Sequence, residues 1–167
     1  HSMRNLIHDP RGMSELKQGV TMEIFGEGTS MGPLNEQMRQ AQTEQQGDIK
    51  FDISWTTLGD YLSFMEDKGI SPNIASFIGA TTARINEIGY ENRLPTEEEL
   101  VRMQQLVIDA MNEGALGVGS SLIYAPASYS DTNELVALNK AASVCGGSYI
   151  SHLRSEGNLV DEAIDEL

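Results

Sequence analysis

The chain has 167 residues and a mass of 18.3 kDa, the size of one ordinary domain. Its 40% hydrophobic content supplies enough apolar side chain for a packed core, which argues against disorder throughout. Eleven Lys and Arg against 25 Asp and Glu give a net charge of −14, which disfavours nucleic-acid partners and anionic membranes, because both need clustered cations.

The single cysteine, Cys145, excludes an internal disulfide and is expected as a small buried residue on a helix. No stretch approaches the ~20 apolar residues of a membrane span, and no basic segment leads into an apolar signal core. His1-Ser2-Met3 reads as a cloning remnant, so the natural chain is expected to begin elsewhere and its compartment is not set by these residues.

In chain order, a short helical piece at residues 13–18 precedes a first β-rich run, Val20-Thr21-Met22-Glu23-Ile24-Phe25. Residues 35–48 are rich in Gln and Glu with no clear apolar stripe, which suits a solvated helix or an excursion over one face. A helix follows at about residues 57–68, with Leu58, Tyr61, Leu62 and Met65 as its apolar stripe and Gly69 as its stop. The second β-rich run is Asn73-Ile74-Ala75-Ser76-Phe77-Ile78. Pro95 and a Thr96-x-x-Glu99 capping box then open the clearest helix, in which Leu100, Met103, Leu106, Val107, Ala110 and Met111 share one face before Gly114.

A third run, Ala115-Leu116-Gly117-Val118-Gly119, is followed by a helix starting at Asp131, with Glu134 three residues on and Leu135, Leu138, Ala142 and Cys145 pointing inward. Both acidic residues read as helix caps. The fourth run, Ser148-Tyr149-Ile150-Ser151-His152, leads into a last helix over residues 158–167, with Leu159, Ala163 and Ile164 spaced for burial. This alternation predicts an α/β fold with a parallel sheet, and about four βα units correspond to half of a (β/α)8 barrel of roughly 250 residues. Residues 1–167 are expected to form a single piece of such a domain.

In parallel α/β folds ligands gather at the carboxyl ends of the strands, so the residues after each run are the candidates. Glu27 stands between Gly26 and Gly28, where little bulk would keep a ligand or metal away; a salt bridge on the rim accounts for it equally well. A phosphate loop is a weaker reading, since neither G-x-G-x-x-G nor G-K-[ST] spacing is met. His152 has no H-x-H or H-x-x-H partner, and a lone histidine is more often structural, but its strand-end position allows it to converge with Glu27 on one ion. Arg154 could pair with a substrate carboxylate or with Glu156. Tyr124 could orient a polar ligand group or pack beside Pro126, and His8, in a polar turn, reads as surface. No Ser/His/Asp or Cys/His triad assembles.

These same stretches carry a family resemblance. Lys17-Gln18-Gly19-Val20-Thr21 leading to Gly26-Glu27-Gly28, the run from Gly114 through Tyr124-Ala125-Pro126, and Ser151-His152-Leu153-Arg154-Ser155-Glu156 together resemble the D-aminoacylase (N-acyl-D-amino-acid deacylase) branch of the amidohydrolase superfamily, over nearly the whole chain after Met3. The resemblance implies a (β/α)8 barrel with one or two divalent metals, usually zinc, and hydrolysis of an N-acyl-D-amino acid amide by attack of metal-bound hydroxide. It implies His152 as a metal ligand and Glu27 in a place where many members carry cysteine, with Tyr124 and Arg154 on the substrate side. The family's H-x-H pair, later histidine and catalytic aspartate have no counterpart in these residues, so no catalytic residue is assigned. The chain alone is expected to be inactive, to bind metal weakly if at all, and to self-associate through open sheet edges. Two other readings stand beside this one: an amidohydrolase of cyclic amides such as hydantoins or dihydropyrimidines, and a non-catalytic acidic α/β interaction module.

Overall fold

The computed structural model describes residues 3–167, so of the expected remnant His1-Ser2-Met3 the first two residues lie outside the described residues. Two short helices, α1 (Met3–His8) and α2 (Met13–Lys17), precede strand β1 (Met22–Phe25). Helices α3 (Glu36–Glu44) and α4 (Leu58–Lys68) connect it to β2 (Asn73–Ser76), which continues after Phe77 as β3 (Ile78–Gly79). Helices α5 (Ala80–Glu87) and α6 (Glu97–Asn112) lead to β4 (Gly117–Ser121). A 3-10 turn (Ala127–Tyr129) and α7 (Thr132–Ser143) lead to β5 (Ser148–His152), and α8 (Val160–Asp165) follows.

All strand pairs are parallel: β1 with β2, β3 with β4, and β4 with β5. The two small sheets meet through residues 76 and 77. Phe77 N–H donates to Phe25 O at 2.8 Å on one side, and Ser76 O accepts from Leu116 N–H at 2.9 Å on the other. The spatial order is therefore β1, β2 with β3, β4, β5, each step crossing over through helices, as parallel pairing requires. The mixed α/β architecture with parallel strands agrees with the alternation read from the sequence.

Helix starts are where the local signals hold best. Thr57 with Asp60 and Thr96 with Glu99 form reciprocal capping boxes at α4 and α6, and Asp131 accepts from Glu134 N–H at α7. Met103, Val107 and Ala110 lie on one face of α6 and are fully or almost fully buried. Burying a side chain such as Met103 or Val107 stabilises the fold by about 1.5–3 kcal/mol each. The core continues through Leu58, Tyr61, Met65, Ile78, Val118 and Leu138, and Trp55 closes it with an indole N–H bond to Met31 O at 2.7 Å.

Several expected boundaries shift for backbone reasons. Val20 N–H still donates to Glu15 O, so the turn after α2 delays β1 to Met22. Ala115 N–H likewise donates to Ala110 O, so β4 starts at Gly117 and runs on through Ser120 and Ser121. Residues 80–84, which follow the second β-rich run, begin α5 directly, with Gly79 as a cap lacking a side chain. Residues 36–44 form a helix with no buried residue, in keeping with a solvated segment. Two packing expectations fail. Cys145 is exposed: α7 ends at Ser143, and Cys145 lies beyond it in the turn that leads to β5. In α8 only Ala163 is buried; Leu159, just before the helix, and Ile164 are exposed, because so short a helix turns one small residue inward. Among the described residues no helix is long and apolar enough to cross a membrane.

Candidate functional site

A cavity of about 570 Å³ opens at the carboxyl ends of the strands. Glu27, after β1, and His152, at the end of β5, both line it, and Tyr124, Ser121 and Thr81 complete its polar wall. Ile24, Phe25, Ile85 and Pro126 supply apolar surface. The volume lies within the range of small-molecule sites, and the wall is mixed, polar and apolar surface in near-equal parts.

Glu27 is held by its main chain. Gly26 and Gly28 are buried while Glu27 itself is exposed, so the backbone is fixed and the carboxylate projects from it. Ser121 Oγ donates to Glu27 O at 2.7 Å, and Thr81 N–H, in the first turn of α5, donates to Gly28 O at 3.0 Å. Ser30 anchors the next step, accepting from Gly79 N–H through its hydroxyl at 3.0 Å and donating its own N–H to Thr82 Oγ1 at 2.8 Å. The segment crosses close above the neighbouring strand ends. A Cβ at Gly119 would lie 2.1 Å from Gly26 O, and one at Gly79 would lie 2.3 Å from Gly28 O. Glycine at these two positions is a condition for the crossing. The segment is no phosphate cradle: Gly28 N–H bonds to Gly26 O and Ser30 N–H to Thr82, so these donors are not free for an anion.

His152 lies edge-on to the Tyr124 ring, with centroids 5.4 Å apart and planes at 62°. Its Nε2 is 3.6 Å from Glu156 Oε1, and its Nδ1 is 3.5 Å from Leu153 O, both beyond a good hydrogen bond. Tyr124 shares the cavity wall with Pro126, so facing the cavity and standing beside the proline are compatible.

Arg154 does not line the cavity. Its guanidinium forms paired bonds with the Glu166 carboxylate and donates to two backbone carbonyls, which leaves it turned away from any ligand between Glu27 and His152. The alternative partner, Glu156, is not the one it takes. The ion pair holds the Glu166 carboxyl below its ordinary range and raises the Arg154 guanidinium.

An imidazole nitrogen and a carboxylate oxygen are donor types that suit zinc and other borderline divalent cations. Two donors fall short of a tetrahedral set, and among the described residues no group of three or more His, Cys, Asp or Glu side chains gathers at one point. Glu27 and His152 therefore share the cavity as donor types suited to such a cation and do not by themselves constitute a metal centre. Ser121, Thr81 and Tyr90 also belong to the cavity, and sequence reasoning did not single them out. Ser121 ends β4 and Thr81 opens α5 just after β3, a placement that could have found them; Tyr90 follows α5 and carries no such mark.

Parallel strands with a cavity at their carboxyl ends define the chain as an α/β protein whose structural neighbours have the amidohydrolase fold. Its homologues and structural neighbours are D-aminoacylase and the N-acyl-D-amino-acid deacylases, as the sequence motifs indicated. The chain is 30% identical over 156 residues to a D-aminoacylase of Alcaligenes xylosoxydans xylosoxydans, covering 91% of this chain and 31% of that protein. It is 26% identical over 168 residues to the N-acyl-D-aspartate deacylase of the same organism, covering 99% of this chain and 34% of that protein. A solved D-aminoacylase with a binuclear metal centre superposes with a TM-score of 0.86 at 26% identity, covering 99% of this chain and 35% of that one. The chain thus spans about a third of the length of the relatives it matches. No family model matches it.

Proposed function

We propose that residues 1–167 are a single piece of a metal-dependent amidohydrolase barrel, about four βα units of a (β/α)8 cylinder, whose whole protein hydrolyses the amide of N-acyl-D-amino acids. The observation that carries this reading is the convergence of Glu27, His152 and Tyr124 on one cavity at the carboxyl ends of parallel strands. In this reading Glu27 and His152 hold a divalent metal, zinc first among the candidates, together with donors supplied by other parts of the whole protein. When bound, such a cation supplies Lewis-acid polarisation of the amide carbonyl and lowers the pKa of water.

The chain's own residues then do three things. The bonds from Ser121 and Thr81 fix the carbonyls of Glu27 and Gly28, and so hold the backbone from which the Glu27 carboxylate projects. The Tyr124 hydroxyl orients a polar group of the substrate. The apolar wall from Ile24, Phe25, Ile85 and Pro126 takes up the apolar portion of a small N-acyl amino acid and excludes water there. No acid or base for proton transfer to the leaving amine is assigned to these residues. The 167-residue chain is accordingly inactive by itself and binds metal weakly or not at all.

The test is turnover by the longer natural protein that carries this segment, loaded with zinc and offered N-acyl-D-amino acids, N-acyl-L-amino acids, hydantoins and dihydropyrimidines. D-selective release of the free amino acid is expected, and Glu27→Ala and His152→Ala should each lower both metal content and turnover. Turnover confined to the cyclic amides, or full metal content and activity in both variants, would overturn the reading.

A further inference from the structure

Arg154 stands two residues beyond His152 and binds two separate pieces of chain. Nε and Nη2 donate to Glu166 Oε2 and Oε1, each at 2.8 Å, in a paired, charge-assisted fork. Nη2 also donates to Ser130 O at 2.9 Å, and Nη1 donates to Ser128 O at 3.2 Å. Thr132 Oγ1 donates to the same Glu166 carboxylate at 3.0 Å, tying the start of α7 to this cluster. The Arg154 side chain is 31% exposed and Glu166 only 14%, so the fork is partly shielded from water.

The carbonyls it grips belong to the loop between β4 and α7. That loop also carries Tyr124, whose main chain is bonded into it: Ser128 N–H donates to Tyr124 O at 2.9 Å. His152 lies at the other end of the same arrangement, two peptide units before Arg154, and its own ring nitrogens make only long contacts. The edge-on relation of His152 and Tyr124 is thus built between two segments that Arg154 fastens together.

We propose that Arg154 is a positioning residue: its guanidinium locks the Tyr124-bearing loop and the end of α8 onto the exit of β5, and so sets the spacing of His152 and Tyr124 on the cavity wall. Its planar fork is committed to Glu166 and to two carbonyls, so a substrate carboxylate would have to break these bonds to reach it. The functional meaning rests on the reading of His152 and Tyr124 as site residues. The geometry itself can be tested without metal or turnover, so the two can fail separately.

The experiment is NMR on the 167-residue chain, comparing wild type with Arg154→Ala, Arg154→Lys and Glu166→Gln. Two readouts are followed: the ring-to-ring cross-peak between His152 and Tyr124, and hydrogen exchange of the Ser128, Tyr129 and Ser130 amides. In Arg154→Ala the cross-peak should vanish, and these loop amides should exchange at least about tenfold faster, since both bonds to the loop carbonyls go and about 1.4 kcal/mol already corresponds to tenfold. The β4–β5 ladder amides at Ser148 and Ile150 should keep their protection. Arg154→Lys, which keeps the charge and loses the fork, should recover part of the loop protection, and Glu166→Gln should show a smaller loss than alanine.

An unchanged cross-peak and loop exchange in Arg154→Ala would overturn the proposal. So would equal acceleration across loop and ladder, the mark of a purely global effect on stability. If the alanine variant does not fold, the lysine and glutamine variants decide by the same two criteria. An Arg154 Nε–H resonance that moves on adding N-acetyl-D-alanine to the wild-type chain would also overturn it, returning the arginine to substrate recognition.

Discussion

Glu134 shows how one residue can satisfy a local pattern and serve a distant one. By sequence it is the acid in the first turn of α7, three residues after the cap Asp131, and its N–H does bond to Asp131 Oδ1 at 2.8 Å. Its side chain goes elsewhere. The carboxylate pairs with Arg84 in α5, both side chains essentially without solvent exposure, and accepts from Ser130 Oγ at 2.8 Å. Arg84 also donates to the carbonyl of Arg93, while its Nε is buried without a partner. Removing one member of such a pair strands a buried charge, so Glu134→Ala should lower stability by about 3–5 kcal/mol in urea denaturation. Replacing both, Arg84→Met with Glu134→Leu, should cost far less, because no charge remains to be desolvated. The pair was not legible in the sequence, since 50 residues separate its members and each has a sufficient local explanation. The shared placement of Glu27 and His152 at the cavity was legible because its signal is also local: a carboxylate between glycines and an imidazole closing an apolar run.

At the level of elements, legibility follows how the helix start is made. α4, α6 and α7 carry side-chain caps and an apolar stripe, both readable within a few residues. α5 has neither: it is capped by Gly79, and its buried residues include Thr81, Thr82 and Arg84, whose polarity suggests a loop until their partners on the β1 segment and α7 are known. The α6 cap also predicts a pH response. Arg93 bonds to both carboxylate oxygens of Glu99 at 2.7 Å, and with the Thr96 backbone it lowers this carboxyl from 4.5 to about 2. A carboxyl whose folded pKa is depressed adds stability that is fully present above its unfolded value. That contribution is lost as pH falls from about 4.5 towards about 2. Thermal melts across this window should show Glu99→Gln with a flatter decline than wild type, and with lower stability at pH 7.

For the molecule as a whole, the described strands leave two open borders. β1 pairs only with β2, and β5 only with β4, while Met22 and Ile24 on β1 are 49% and 55% exposed. Unpaired edges beside exposed apolar side chains favour association, and the net charge of −14 opposes it. Screening decides between them: the Debye length is about 10 Å at 0.1 M salt and about 3 Å at 1 M. Light scattering of the chain should therefore show an apparent mass that rises with protein concentration, and more steeply at high salt. A constant 18.3 kDa across both series would mean that the borders are protected.

The passage of Gly26 and Gly28 over Gly79 and Gly119 has a consequence for how this rim can evolve. Because the clearance there is set by main-chain thickness, it cannot be adjusted in small steps: the least possible enlargement, one methyl group, already meets a carbonyl oxygen at 2.1 Å over Gly119. Gly119→Ala should displace the Glu27 carboxylate and lower the melting temperature far more than Ser121→Ala, which removes one hydrogen bond and leaves the path open. Variation in what the rim binds is thereby steered to the side chains that project from the crossing, while the two strands beneath it stay bare.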